Sequence, residues 1–131
     1  MNTLARRFIV IAAVLLALAT IAGALAAHAL KTRLDAADLE VMETAVRYQF
    51  YHALGLFGLG LLALQWPSRA VRAAAWLVVA GIVLFSGSLY LLVAGAPRLI
   101  GVLTPLGGVC LIAGWCVLAV GVARASATRP T

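Results

Sequence analysis

Four long hydrophobic blocks, separated by short polar stretches, make up most of this chain. None of the blocks contains Lys, Arg, Asp or Glu, and each approaches the roughly 20 residues that a helix needs to cross about 30 Å of hydrocarbon. We therefore predict an all-α integral membrane protein whose four transmembrane helices form one bundle. The predicted helices are residues 8–30, 48–66, 73–92 and 99–122, within a single domain of residues 1–131.

The first block has some features of a secretory signal peptide. Arg6 and Arg7 precede it, and Ala24-Leu25-Ala26 resembles a cleavage site. The apolar run is longer than the roughly 7–15 residues of such a signal, so we expect it to be retained as the first transmembrane helix. Alanines recur every seven residues and give this helix a flat side for close packing. They are Ala5, Ala12, Ala19 and Ala26.

The segment between the first two blocks has an amphipathic pattern. Residues 31–47 hold all four acidic residues of the chain. Leu39, Met42 and Val46 fall on one helical face, whereas charged residues occupy another. We predict a short amphipathic helix over residues 35–47 that lies on the outer membrane surface and runs into the second transmembrane helix. A soluble loop is the alternative.

The composition favours a membrane protein over a soluble one. Hydrophobic residues make up 65% of the chain and charged residues 11%, whereas a soluble domain has about 25% charged residues. The net charge is +6, but the basic residues occur singly or in pairs at the ends of the blocks, without the basic stripe that binds nucleic acid. We expect the lipid bilayer, and no nucleic acid, as a partner.

The basic residues also predict an orientation. Four spans place six Lys or Arg residues on the side of both termini and four on the other side. Because the more basic side is usually cytoplasmic, we expect a multi-pass protein of the inner (plasma) membrane with both termini in the cytoplasm. We expect the tail after residue 122 to be frayed. The inner set is Arg6, Arg7, Arg69, Arg72, Arg124 and Arg129, and the outer set is Lys31, Arg33, Arg47 and Arg98.

The fourth block carries a repeat of small residues. Gly107, Gly114 and Gly121 are spaced by seven, and glycines let helix backbones approach closely. We predict that this face packs against another helix, either in the bundle or in an oligomer. Cys110 and Cys116 lie in the same block and point to different sides of the helix, so we expect no disulfide between them.

Uncharged polar side chains gather in the outer half of the predicted bundle. Unpaired polar groups are costly in lipid, so we expect these side chains to face one another. The predicted cluster is His28, Tyr48, Gln49, His52, Ser86, Ser88, Tyr90 and Thr104.

Two main interpretations of this cluster remain open. In the first, the side chains hydrogen-bond between helices, and the protein acts through helix–helix or protein–protein contacts as an accessory or scaffold subunit, by self-association or with another membrane protein. In the second, the cluster binds a small molecule, a lipid headgroup, a quinone, haem or a metal ion. Haem or metal would be bound through His28 and His52, although zinc prefers four ligands.

Catalysis and transport have less support in the sequence. No residue has the arrangement of an activated nucleophile, and Ser86 with His52 is the one pair that geometry could make reactive. Charged residues that would line a transport path are missing from the blocks. We therefore expect no enzymatic activity, no catalytic residue and no bound cofactor.

Four motifs together resemble the YgdD-like family, whose members are small inner-membrane proteins of unknown function with relatives in mitochondria. The family usually has Gly-Ala-Phe-Gly-Ala-His in the first motif, and this chain departs from it at Leu25 and Ala26. The resemblance implies a multi-pass helical membrane protein, and it implies no reaction or ligand. The motifs are Gly23-Ala24-Leu25-Ala26-Ala27-His28, Tyr48-Gln49 with His52, Phe85-Ser86-Gly87-Ser88-Leu89-Tyr90, and Thr104-Pro105-Leu106-Gly107-Gly108.

Overall fold

The computed structural model describes residues 1–127, and this part of the chain contains α-helices and one short 3₁₀ helix but no strand. The prediction of an all-α chain is confirmed. The helices are α1 (Thr3–Ala27), α2 (Ala36–Gln65), α3 (Arg69–Val93) and α4 (Leu103–Ala127), with the 3₁₀ helix Arg98–Val102 before α4.

Each of the first three helices begins after a residue whose side chain caps it. Oxygens of Asn2, Asp35 and Ser68 accept hydrogen bonds from backbone N–H groups three residues later, at 2.8, 2.8 and 3.2 Å. These bonds satisfy amide groups that the first turn of a helix leaves unpaired. After α3 the chain turns at Gly95, whose φ of +92° suits a residue without a side chain.

Several helix ends differ from the prediction. α1 begins at Thr3 rather than at residue 8 and ends at Ala27 rather than at residue 30. His28 caps its last turn, because its backbone N–H donates to the carbonyl of Ala24 at 3.1 Å. α4 continues past residue 122 to Ala127, where the sequence predicted a frayed tail. Arg129, which the charge count assigned to the inner side, lies outside the described residues.

Three helical segments are long and apolar enough to cross a membrane. They are α1, α3 and residues Arg98–Ala125, which include the 3₁₀ helix. α2 is not among them, because charged residues occupy its first turns and the polar run from Tyr48 to His52 follows. The structure is thus that of an integral membrane protein with three such segments, one fewer than the four predicted.

The amphipathic segment is part of α2. This helix is continuous over 30 residues, about 45 Å at 1.5 Å per residue, and residues 36–47 form its first turns. The amphipathic segment is therefore helical and runs into the second hydrophobic block, as predicted, and it is not a loop. Its position on the outer membrane surface stays a prediction. Residues 36–47 contain no Gly or Pro to break the helix, and Met42 and Ala45 are buried within the protein.

The helices pack in chain order around a main apolar core and a smaller one formed by Ala5, Ala63 and Val71. α1 contacts α2, α2 contacts α3, and α3 contacts α4. The rings of Phe8 and Trp76 also join α1 to α3, with centroids 5.4 Å apart in an edge-to-face arrangement. The main core takes side chains from all four helices, among them Ala12, Leu56, Val78 and Leu111.

Small residues set the distances between the helices. The four alanines of the seven-residue repeat in α1 are all at most 5% exposed, so this flat side faces the protein. Gly107, Gly114 and Gly121 of α4 all face α3, where a side chain would meet Phe85, Ala74 and Ala70 respectively. The glycine repeat therefore lies in a contact within one chain.

Candidate functional site

Gln49 connects three helices through its amide group. The side chain is only 5% exposed. Its Nε2 donates a hydrogen bond to the backbone carbonyl of Leu15 in α1 at 2.8 Å. The hydroxyl of Tyr90 in α3 donates to Gln49 Oε1 at 2.7 Å. A single residue of α2 thus fixes the positions of both neighbouring helices.

Two serines extend this polar contact across α3. Ser86 is buried, and its hydroxyl donates to the carbonyl of Ala45 in α2 at 2.7 Å. Ser88 donates to the carbonyl of Phe85 at 2.9 Å, and its Oγ lies 2.6 Å from Oγ1 of Thr104 in α4. Hydrogen bonds of this kind between helices stabilise membrane proteins, because lipid supplies no alternative partner.

An aromatic group lies on the side of the protein where α2 approaches α4. The ring of Tyr48 stacks on that of Phe85, with centroids 4.5 Å apart, and on that of His52, with centroids 5.8 Å apart. The centroid of the Trp115 ring lies 6.3 Å from that of the His52 ring. Nδ1 of His52 lies 2.8 Å from the carbonyl of Tyr48. Because that carbonyl can only accept, we assign the proton to Nδ1, which leaves Nε2 as an acceptor in the neutral ring.

His28 lies apart from both groups. Gly23 of α1 packs beside Val46 of α2, and the two helices are antiparallel. His28 is five residues from this contact in one direction and His52 six residues in the other, which separates them by roughly 16 Å along the helix axis. The two histidines therefore cannot share a haem iron or a metal ion. Within residues 1–127, no three His, Cys, Asp or Glu side chains come close enough to hold a metal ion.

The structure thus divides the predicted cluster. Its polar members join helices to one another, its aromatic members form a separate group, and His28 is an exposed residue at the end of α1. Ser86 bonds to a backbone carbonyl and not to His52, so these two do not form a reactive pair. The polar members are Gln49, Ser86, Ser88, Tyr90 and Thr104, and the aromatic group contains Tyr48 and His52.

Several contributors were missed by the sequence analysis. The carbonyls of Leu15 and Ala45 are acceptors that any residue could supply, so no sequence signal identifies them. Trp115 lies within an apolar block and did not stand out.

The structure also contains a groove that the sequence did not indicate. It lies between α1 and α3, has a volume of about 640 Å³, and is floored by α2. Apart from Gln49 and Tyr90, the side chains that line it are of the same apolar types as those in the core, so their identity does not indicate a groove. The α1–α3 groove is lined by residues that include Leu18, Ile21, Leu30, Leu34, Met42, Gln49, Ile82, Val83 and Gly87.

Comparisons with known proteins identify relatives over most of the chain. The family model described as "Protein of unknown function (DUF423)" matches residues 22–108. The UPF0382 membrane protein SSP2132 of Staphylococcus saprophyticus is 44% identical over 114 residues, which are 87% of this chain and 94% of that protein. The UPF0382 membrane protein YwdK of Bacillus subtilis is 42% identical over 118 residues, which are 89% of this chain and 96% of that protein.

The UPF0382 inner membrane protein YgdD of Escherichia coli is 36% identical over 102 residues, which are 78% of each chain. This match confirms the resemblance to YgdD-like proteins. No solved structure matches the chain.

Proposed function

The chain belongs to the DUF423 family of membrane proteins, and we propose that it is an accessory or scaffold protein that acts by contact with a partner inside the bilayer. We further propose that it crosses the plasma (inner) membrane four times, with both termini in the cytoplasm.

The contacts between α1 and α2 support a fourth span. At one end of α1, Nδ2 of Asn2 donates to the carbonyl of Ala63 at 2.6 Å, and near the other end Gly23 packs beside Val46. Residues 46–63 of α2 therefore run along most of α1 in the opposite direction. Since α1 is long and apolar enough to cross the membrane, this part of α2 covers the same depth.

Cysteine labelling tests the number of spans and the orientation. In a Cys110→Ser and Cys116→Ser background, a reagent that cannot enter the cell should modify Ala37→Cys, and it should spare Gln65→Cys and Ser126→Cys. The reason is that α2 carries the chain across the bilayer between residues 37 and 65. Equal labelling of Ala37→Cys and Gln65→Cys would show that α2 does not cross, and the reversed pattern would invert the orientation.

The hydrogen-bond pairing of the buried polar side chains is the main support for the proposed accessory or scaffold role. Gln49, Ser86 and Ser88 each hydrogen-bond to another helix, and every buried side-chain N or O atom within the described residues has a partner. Groups bound to one another do not present an activated nucleophile or a ligand set. This pairing supports a protein without a reaction or a cofactor of its own, and it gives less support to a ligand site in the polar cluster.

The aromatic group offers a hydrogen-bond acceptor to a partner. Nε2 of His52 has no hydrogen-bond partner among residues 1–127. The ring lies between Tyr48 and Trp115, which are 40% and 36% exposed. An unpaired acceptor in hydrocarbon is costly. A hydrogen-bond donor from another membrane protein, or from a second copy of this chain, would remove that cost.

Substitutions of His52 test this contact by photo-crosslinking in living cells. A benzophenone amino acid in place of the exposed Ile112, which lies one turn from Trp115, should form an adduct of defined mass. We expect His52→Leu to lower its yield about 3- to 20-fold, the worth of one hydrogen bond of about 0.6–1.7 kcal/mol in a membrane. His52→Gln should retain most of the yield, because its amide oxygen still accepts.

The melting temperature of the His52 variants should change little, because the carbonyl of Tyr48 keeps its bond within α2. The same amino acid at Val10, which is 54% exposed on α1, serves as the control and should give no such adduct. Equal yields from wild type, His52→Leu and His52→Gln would leave His52 without a role in association.

A further inference from the structure

The α1–α3 groove has the dimensions of a site for a chain-shaped molecule. Its volume of about 640 Å³ falls within the roughly 300–1,000 Å³ typical of small-molecule sites. Its α1 wall extends from Leu15 to Leu25, about 15 Å along the helix axis at 1.5 Å per residue. The groove is therefore elongated along the direction in which lipid chains run.

The groove contains open space beside α3. A Cβ atom added at Gly87 would meet no atom within 4 Å, although Gly87 belongs to the lining. Leu18, Ile21 and Val83 in the walls are 51%, 57% and 60% exposed, so the groove opens sideways. In a bilayer such an apolar space is filled by hydrocarbon.

The loop between α1 and α2 closes one end of the groove. Leu30 and Leu34 of this loop belong to the lining. A transmembrane helix of a partner would continue past the membrane surface and collide with the loop. A lipid chain ends at that level, where its headgroup begins, so the closed end favours a lipid over a helix.

The same loop carries positive charge. Lys31 and Arg33 lie between the two leucines of the lining and are exposed. The carboxylate of Asp35 is engaged with the backbone N–H of Asp38 at the start of α2, at 2.8 Å. The two cations beside the closed end suit an anionic headgroup, since basic side chains near the membrane surface attract anionic lipids.

The floor of the groove offers a hydrogen-bond donor. The amide of Gln49 has two N–H groups, and within the described residues only one bond, to the carbonyl of Leu15, uses them. Tyr90, also in the lining, is bound to the amide oxygen. Because Gln49 bonds to Leu15, this donor lies at the end of the groove away from the loop.

From these features we propose that the α1–α3 groove binds one anionic phospholipid, a site separate from the partner contact at His52. One acyl chain fills the groove from the loop towards Leu15, and the phosphate lies beside Lys31 and Arg33.

Native mass spectrometry tests the chain site. The protein is reconstituted in vesicles of equal parts phosphatidylglycerol and phosphatidylcholine with the same acyl chains, and is then extracted in mild detergent. Wild type should retain one lipid, predominantly phosphatidylglycerol. Gly87→Leu should lower the retained fraction at least about tenfold, because its side chain occupies space that several methylene groups would fill. Gly58→Leu is the matched control, since a Cβ there also meets nothing within 4 Å and Gly58 lies outside the groove.

Charge reversal tests the headgroup site. Lys31→Glu with Arg33→Glu should abolish the preference for phosphatidylglycerol, whereas Arg47→Glu, an exposed cation of α2 outside the groove lining, should keep it. Equal retention of both lipids by wild type would mean that only the surrounding bilayer is sampled. That outcome, or equal losses in Gly87→Leu and Gly58→Leu, would overturn the proposal while leaving the partner contact at His52 untouched.

Discussion

Gly107→Ala should destabilise the protein by about 1–3 kcal/mol, the usual cost of an added methyl group in a tightly packed contact, whereas Gly108→Ala should not. An added Cβ at Gly107 would meet the backbone N and Cα and the Cβ of Phe85. Backbone atoms cannot turn aside as the end of a side chain can, so α3 and α4 must separate. At Gly108 the nearest atom is Cδ2 of Phe85 at 3.8 Å, an ordinary contact.

Comparing Gly107→Ala with Gly108→Ala separates the cost of closer packing from the change in helix propensity. Both substitutions replace Gly by Ala inside α4 and gain the same roughly 0.5–1 kcal/mol of helix propensity. Gly108→Ala should therefore be neutral or slightly stabilising. Thermal unfolding in detergent measures both variants against wild type, and equal melting temperatures would show that α4 can move away from α3 without cost.

Gly114→Leu extends this test along the same face. A Cβ there would lie 3.1 Å from the carbonyl of Ala74, and the rest of the leucine side chain has no room. We expect a lower melting temperature for this variant as well. Wild-type melting would mean that the side chain escapes towards lipid.

Gln49→Leu should cost about 2–3 kcal/mol, because it removes two hydrogen bonds between helices and leaves the hydroxyl of Tyr90 without its acceptor. The volumes of the two side chains are similar, so the loss reflects hydrogen bonding and not a cavity. Gln65→Leu is the control, since Gln65 is exposed at the end of α2 and should tolerate the change.

A double-mutant cycle separates the Tyr90 bond from the Leu15 bond. Tyr90→Phe alone should cost about 0.6–1.7 kcal/mol, one hydrogen bond in a membrane. Gln49→Leu with Tyr90→Phe should cost less than the sum of the single changes, because no hydroxyl then remains unpaired. Strictly additive losses would indicate that Gln49 and Tyr90 do not act as a pair.

The difference between the two histidines shows where sequence reasoning stopped. His28 and His52 both fall near the outer ends of hydrophobic blocks, which made a meeting plausible. The two side chains lie far apart because α2 begins well before its hydrophobic block and runs beside α1 in a register that pairs Gly23 with Val46. That register depends on the packing of two helix surfaces and is not encoded at either histidine.

Local sequence patterns were sufficient to predict the order of the helices and the faces on which α1 and α4 pack. The lengths of the apolar blocks predicted helices in the right order, because helix formation in a membrane follows from hydrophobic length and internal hydrogen bonding. The seven-residue repeats of alanine in α1 and glycine in α4 predicted buried faces, because residues with this spacing lie on one side of a helix.

The amino-acid sequence by itself therefore determined the helical membrane class and the faces that small residues keep close. Only the tertiary structure decided that Gln49 bonds to the carbonyl of Leu15, that Ser86 bonds to that of Ala45, and that α1 and α3 leave a groove. The physical reason is that hydrophobic length and helical periodicity act over a few neighbouring residues. Partner carbonyls and open space depend instead on the relative placement of helices whose apolar surfaces are chemically alike.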